Sequence, residues 1–232
     1  MKVLELFSGT KSVGKVAENL GYEVISLDLK DADINCDILN WDYTVYPSGY
    51  FDVIWASPPC NTFSFLRDGN IGRHGFTKER IQDDINNIGL PILRKTEQII
   101  DYFKPIYYFI ENPQTGRMKE YIDKPYYDVD YCKYADWGYR KRTRIWTNII
   151  GFKPKLCKRD CNSMDGTKHK LNIGHNDFVK DGDKIISLSS KELRDKYKDY
   201  ERIQEKKISI PLRQRYRIPP KLIEELFECM EV

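Results

Sequence analysis

The chain has 232 residues, enough for one domain with a small appendage, and 41% hydrophobic residues can supply its core. A net charge of +3 is too small to argue for nucleic acid by itself, although basic residues crowd positions 133–170 and 191–217. No apolar run reaches the ~18 residues of a membrane span and "MKVLELFSG" lacks a signal peptide's long apolar segment, so a cytoplasmic protein is expected, with Cys36, Cys60, Cys132, Cys157, Cys161 and Cys229 as free thiols or metal ligands rather than disulfides.

"KVLELF" predicts a buried strand, "SGTKSVG" a glycine turn, and the following residues a helix. Ser12 can cap that helix, Val13, Val16, Ala17 and Leu20 share one face, and Gly21 can end it. "YEVISLDL" predicts a second strand closing on Asp28, and "DINCDIL" a short third strand ending near Asp37. "FDVIWA" predicts a fourth strand, followed by a polar, glycine-containing mobile loop over 61–80 and a helix over 86–104. "IYYFIE" predicts a fifth strand ending at Glu111, and "YDVDYCKY" and "TRIWTNI" a final pair. This alternation argues for an α/β fold: an open, mostly parallel sheet with helices on both faces, plus a small irregular region. Three segments follow: a catalytic domain over 1–150, a polar, basic region over 151–208, and 209–232, where Pro219 and Pro220 suit a helix start.

Ligands of such sheets bind beyond the carboxyl ends of the strands. Phe7–Gly9, Asp28, Asp37, Cys60 and Glu111 all fall at predicted strand ends. Gly9 and Gly14 let a ligand approach the backbone, and Asp28 can accept hydrogen bonds from ribose hydroxyls, although an ordinary strand–helix turn explains the glycines equally well. Cys60 can be a nucleophile or a small buried hydrophobe; Pro58 and Pro59 favour the first by rigidly placing it at a strand end. Glu111 is a strand-end carboxylate that burial makes costly unless it is paired or protonated. Arg140, Arg142 and Arg144 alternate along one strand face and suggest an anionic or carbonyl-bearing partner, the plain alternative being a solvated edge strand. Cys157, Cys161, His169 and His175 form C-x3-C-x7-H-x5-H, a shorter middle spacer than zinc fingers use. A basic loop against phosphates, with free cysteines and no metal, is the favoured reading there, with zinc as the alternative.

The chain resembles the DNA cytosine-C5 methyltransferases. "LELFSGTKSVG" is similar to their cofactor motif, "SPPCNTFS" to the Pro-Cys motif, "FIENP" to the Glu-Asn motif and "YRKRTRIW" to the Arg-x-Arg motif, in the family's order. Here Pro113 stands where the family more often has valine, Arg140 where it often has glutamine, and "RYRIPP" where it has an Asn-Ser-Val segment. The resemblance implies a Rossmann-like class I methyltransferase fold and S-adenosyl-L-methionine as cofactor. It implies that Phe7, Gly9, Ser12, Val13, Gly14, Asp28, Asp37, Ile38 and Pro58 hold that cofactor. It implies Cys60 as the nucleophile on cytosine C6, Glu111 at N3, and Arg144 with Arg142 at the O2 side. Ser64, Asn112 and Arg140 are implied on the DNA. The implied partner is double-stranded DNA, with the target base flipped out of the helix, acted on by a monomer without membrane attachment. An RNA cytosine methyltransferase and a catalytically weak DNA- and cofactor-binding partner protein stay open as alternatives.

Overall fold

Short apolar runs bounded by turn residues fold into the strands of one seven-stranded sheet. The strands are β1 Lys2–Leu6, β2 Glu23–Asp28, β3 Ile34–Asn35, β4 Val53–Ala56, β5 Tyr107–Pro113, β6 Tyr126–Asp130 and β7 Arg142–Thr147. Their order is β3-β2-β1-β4-β5-β7-β6. The first five run parallel, while β7 is antiparallel to both β5 and β6. The mostly parallel sheet expected from the sequence is the observed one. This computed structural model describes residues 1–72, 75–171, 178–182, 184–187, 196–200, 202–203, 210 and 212–230.

Side chains alternate across each strand, so the sheet has two apolar faces and needs two covers. On one face Val3, Val53, Trp55 and Phe109 pack against helix α1 (Ser12–Asn19) and the C-terminal helix. On the other, Leu4, Leu6, Ile54 and Ile110 pack against α3 (Leu90–Phe103) through Leu93, Ile99, Ile100 and Phe103. The C-terminal helix is α5 (Pro220–Phe227), after a short α4 (Leu212–Arg215). It starts at the predicted prolines and inserts Phe227 against Trp55 and Phe109, ring centroids 6.4 and 5.8 Å away. Helix α1 ends as expected at Gly21, φ +79°, where Gly21 N–H bonds Glu18 O and Tyr22 N–H bonds Ala17 O.

Three expectations are corrected. The long helix starts earlier than residue 86: α2 (Lys78–Asp84) is capped by Thr77 and runs through a π turn at Ile85–Gly89 into α3, with Pro91 in its first turn. The glycine that ends the wide turn has a packing reason. A Cβ on Gly89 would lie 2.5 Å from Thr62 Oγ1 and 2.8 Å from Phe63 Cζ, so glycine lets the segment after Cys60 lie directly on the helix. The stretch 61–80, expected as a loop, holds ordered turns among its described residues. Ser64 caps a 3-10 turn over Phe65–Asn70, and Arg117 ties it down by a bidentate bond to Asp68 at 2.7 and 2.5 Å. The region after 150 is not wholly irregular either. It holds a hairpin, β8 Met164–Asp165 with β9 Lys168–His169, and a three-stranded antiparallel sheet, β11-β10-β12, from Phe178–Asp181, Lys184–Ser187 and Arg202–Ile203. Strands of two to four residues fall below the length at which period-two patterning stands out from chance.

Among the described residues no helix is long and apolar enough to cross a membrane.

Candidate active site

The carboxyl ends of β1, β2, β4, β5 and β6, and the amino end of the reversed β7, meet along one edge of the sheet. Phe7, Asp28, Cys60, Glu111 and Tyr131 therefore share that edge, in the place that open α/β sheets use for ligands.

Behind the first turn stands Glu5, which is buried and accepts from Val13 N–H at 3.1 Å and Gly14 N–H at 3.0 Å. Burial pushes its carboxyl up to about 7, against the pull of those two N–H groups. A Cβ on Gly14 would lie 2.8 Å from Glu5 Oε2, so the expected role of Gly14 is revised: its missing side chain admits Glu5. Ser12 is revised too. Its Oγ does not cap α1; it meets Thr10 Oγ1 at 2.7 Å and accepts from Ile218 N–H at 3.2 Å, which ties the "RYRIPP" segment to the glycine turn. Phe7 and Gly9 both have positive φ, +59° and +45°, and Gly9 N–H reaches Asp28 Oδ2 at 2.9 Å. Leu29 N–H takes Asp28 Oδ1 at 2.7 Å while the Leu29 side chain is 72% exposed. Asp37 is exposed beside the buried Ile38 and accepts from Leu39 N–H. β3 ends at Asn35, short of Asp37. Val13 is buried on the inner face of α1, and Ser8 Oγ is a buried hydroxyl without a partner among the described residues.

Pro58 O accepts from Asn112 Nδ2 at 2.8 Å, which ties the strand-end loop of β4 to the end of β5. Cys60 follows, partly exposed. Burial pushes its thiol up, the Lys141 ammonium pulls it down, and the Glu111 charge pushes it up again. Glu111 is buried; its Oε1 accepts from Tyr131 Oη at 2.9 Å and faces Lys141 Nζ at 3.5 Å. Both contacts fall on Oε1, and among the described residues Oε2 carries no hydrogen bond. The same edge thus gathers a thiol, a carboxylate held at one oxygen, and an ammonium.

The arginines lie elsewhere. Arg142 makes a two-pronged bond to the fully buried Asp130, at 3.1 and 2.7 Å, and Arg140 stands 3.6 Å from the same carboxylate. Arg144 makes one to Asp128, at 2.8 and 2.9 Å, with its guanidinium 3.5 Å from the centre of the Tyr126 ring. Arg144 pairs across the sheet with Asn112 and Asp128, whereas Glu111 pairs with Ile145. Paired residues share a face, so Arg144 and Glu111 point to opposite sides. The arginines of "YRKRTRIW", expected to face an anionic or carbonyl-bearing partner, pair with carboxylates of β6, and β7 is interior rather than a solvated edge. Lys141, of opposite parity, is the cation that reaches Glu111. Period two in "RKRTR" was the signal for it, and "DVD" opposite "RTR" the signal for the ion pairs.

Ser64 Oγ accepts from Leu66 N–H. Cys157, Cys161 and His169 converge with Cys132, which the sequence did not single out as a ligand; His175 lies outside the described residues.

No protein-family model matches the chain. A curated relative, the probable DNA (cytosine-5)-methyltransferase of Frog virus 3 (isolate Goorha), is 54% identical over 170 residues, covering 71% of this chain and 79% of its own. The chain belongs to the DNA cytosine-5 methyltransferase family. As a methyltransferase it requires a methyl donor. Among solved structures, the Entamoeba histolytica methyltransferase EhMeth aligns at 16% identity and a TM-score of 0.48, over 74% of this chain and 57% of that one. A mutant of Spodoptera frugiperda DNMT2 aligns at 18% and 0.39, over 68% and 53%. The methyltransferase chain thus spans little more than half the length of these two solved proteins.

Proposed function

We propose that this methyltransferase transfers a methyl group from S-adenosyl-L-methionine to C5 of a cytosine flipped out of duplex DNA. The observation that carries the reading is the grouping of Cys60, Glu111 and Lys141 at the strand ends, in a chain 54% identical to a probable DNA (cytosine-5)-methyltransferase.

The first turn fits an adenosyl cofactor. Gly9 leaves the backbone open, Asp28 is held by two N–H groups with its carboxylate toward the edge, Leu29 offers an exposed apolar surface to a base, and Ser8 Oγ lacks a partner among the described residues. Phe7, Gly9, Asp28, Asp37 and Ile38 are the residues that would hold it. When bound, S-adenosyl-L-methionine supplies an electrophilic methyl group.

The remaining chemistry belongs to the chain's own groups. Cytosine C5 is too weak a nucleophile until a thiolate adds to C6 and its electrons move to C5. Cys60 must first lose its proton, which burial opposes and Lys141 favours. Glu111 then holds the ring nitrogen through Oε2, while Tyr131 and Lys141 fix Oε1. Loss of the C5 proton expels the C6 sulfur and returns Cys60. Asn112, by gripping Pro58 O, sets how far Cys60 projects. Arg142 and Arg144 act as positioning residues for β6, and Arg140 and Ser64 offer polar groups to the nucleic acid backbone.

Duplex DNA carrying 5-fluorocytosine tests this, because fluorine blocks the last step and traps the sulfur–carbon bond. With S-adenosyl-L-methionine, a covalent adduct is expected on the Cys60 peptide and none in Cys60→Ser. Methylation that persists in Cys60→Ser would overturn the assignment, and adduct formation on RNA alone would move the substrate to RNA.

A further inference from the structure

The geometry points to a structural zinc site made of Cys132, Cys157, Cys161 and His169. Their ligand atoms all lie within 4.8 Å of one another. His169 Nε2 is 3.6 Å from Cys157 Sγ and 3.4 Å from Cys161 Sγ. A tetrahedral zinc with Zn–S ~2.3 Å and Zn–N ~2.0 Å has S···N edges of ~3.5 Å and S···S edges of ~3.8 Å. One ring nitrogen carries at most one hydrogen, so it cannot satisfy two thiols by hydrogen bonding, whereas a cation at the centre satisfies all four groups.

The surroundings suit a metal. Cys157 Sγ accepts from Arg159 N–H at 3.3 Å, and Arg159 takes φ +67°, a tight turn that aims an amide at sulfur. Cys157 N–H is held by Asp130 Oδ2 at 2.8 Å. The hairpin that carries His169 is docked at its base, where Gly138 N–H bonds Ser163 Oγ at 3.1 Å and Leu171 N–H bonds Gly138 O at 2.7 Å. Three thiols release three protons on binding, leaving a centre of net charge about −1 beside Lys133 and Arg159.

The segment 151–171 buries little: Phe152, Cys157 and Ser163 are its buried residues. Too small to build a core, it needs a staple. The metal joins it to the end of β6, next to Tyr131, which holds Glu111, and Asp130, which holds Arg142. The ion would thus set the basic segment at a fixed distance from the catalytic edge. This inference stands on the cluster alone and does not depend on the substrate or the cofactor.

Metal analysis of protein purified from zinc-supplemented cells and dialysed against metal-free buffer tests it. About one zinc per chain is expected, lost in Cys132→Ser and in His169→Ala and kept in His175→Ala. Cobalt reconstitution of the wild type is expected to give the visible bands of a tetrahedral thiolate site. Three of the six cysteines are expected to resist a thiol reagent until a mercurial frees the metal, a readout that needs no variant to fold. Zinc below about a tenth per chain, with no cobalt bands and with the cluster's thiols freely reactive, overturns the site. So does metal that survives Cys132→Ser but not His175→Ala.

Discussion

Glu5 makes stability depend on pH in a direction opposite to most surface carboxylates. Its side chain is buried at the amino end of α1, and its carboxyl is pushed up from 4.5 to about 7. Well below pH 4.5, folded and unfolded chains both carry the proton. As pH rises the unfolded chain releases it first, so the unfolded state binds fewer protons and stability falls until the folded group ionises. A shift from 4.5 to about 7 at ~1.4 kcal/mol per unit makes the loss about 3 kcal/mol across that window. Glu5→Gln isolates it, because a carboxamide keeps the shape and does not titrate; it leaves one N–H of Val13 or Gly14 facing an amide donor, a constant cost of about 1–3 kcal/mol. Urea unfolding at pH 5, 6, 7 and 8 and constant ionic strength measures both proteins. The difference between wild type and Glu5→Gln is expected to shrink, then reverse, as pH rises toward 7. A difference that stays flat, or grows with pH, refutes the reasoning and shows the two N–H groups offsetting or outweighing burial.

Alkylation of Cys60 should report its neighbours: at pH 8 Lys141→Met is expected to slow modification of that thiol and Glu111→Gln to speed it, each followed by mass spectrometry of the Cys60 peptide. Equal rates in all three proteins would place both charges out of reach of the sulfur. Gly89→Ala must push a methyl into Thr62 and Phe63, an overpacking cost of about 1–3 kcal/mol; calorimetry should find a lowered Tm, with slower adduct formation at Cys60 because the segment following it is displaced. Asp130→Ala strips Arg142 and Cys157 N–H of their shared acceptor and is expected to cost about 3–5 kcal/mol in chemical denaturation, while Asp128→Ala, which removes a more exposed carboxylate with fewer partners, costs less.

Much of the scaffold was legible along the chain. β1, β4 and β5 are largely buried on both faces, so each reads as a near-continuous apolar run, and the ligand edge lies where the runs stop. That made the turn at Phe7 and the loop carrying Cys60 readable from local pattern, whereas β5 runs on through Glu111 to Pro113, past the end expected for it. The packing of Phe63 on Gly89, at the end of the π turn, was not readable, because it is a contact between distant segments. The β10–β12 sheet escaped for want of length.

Chain order and period-two alternation are local properties, so the reactive groups and the strand ends near them could be read without a structure. The tertiary structure alone decided partnership. β7 turns back between β5 and β6, and that reversal sets Arg142 and Arg144 against Asp130 and Asp128 and leaves Lys141 for Glu111. It also brings Cys132 to Cys157, 25 positions along; such pairings follow from strand order and register, which the same linear pattern is compatible with in more than one way.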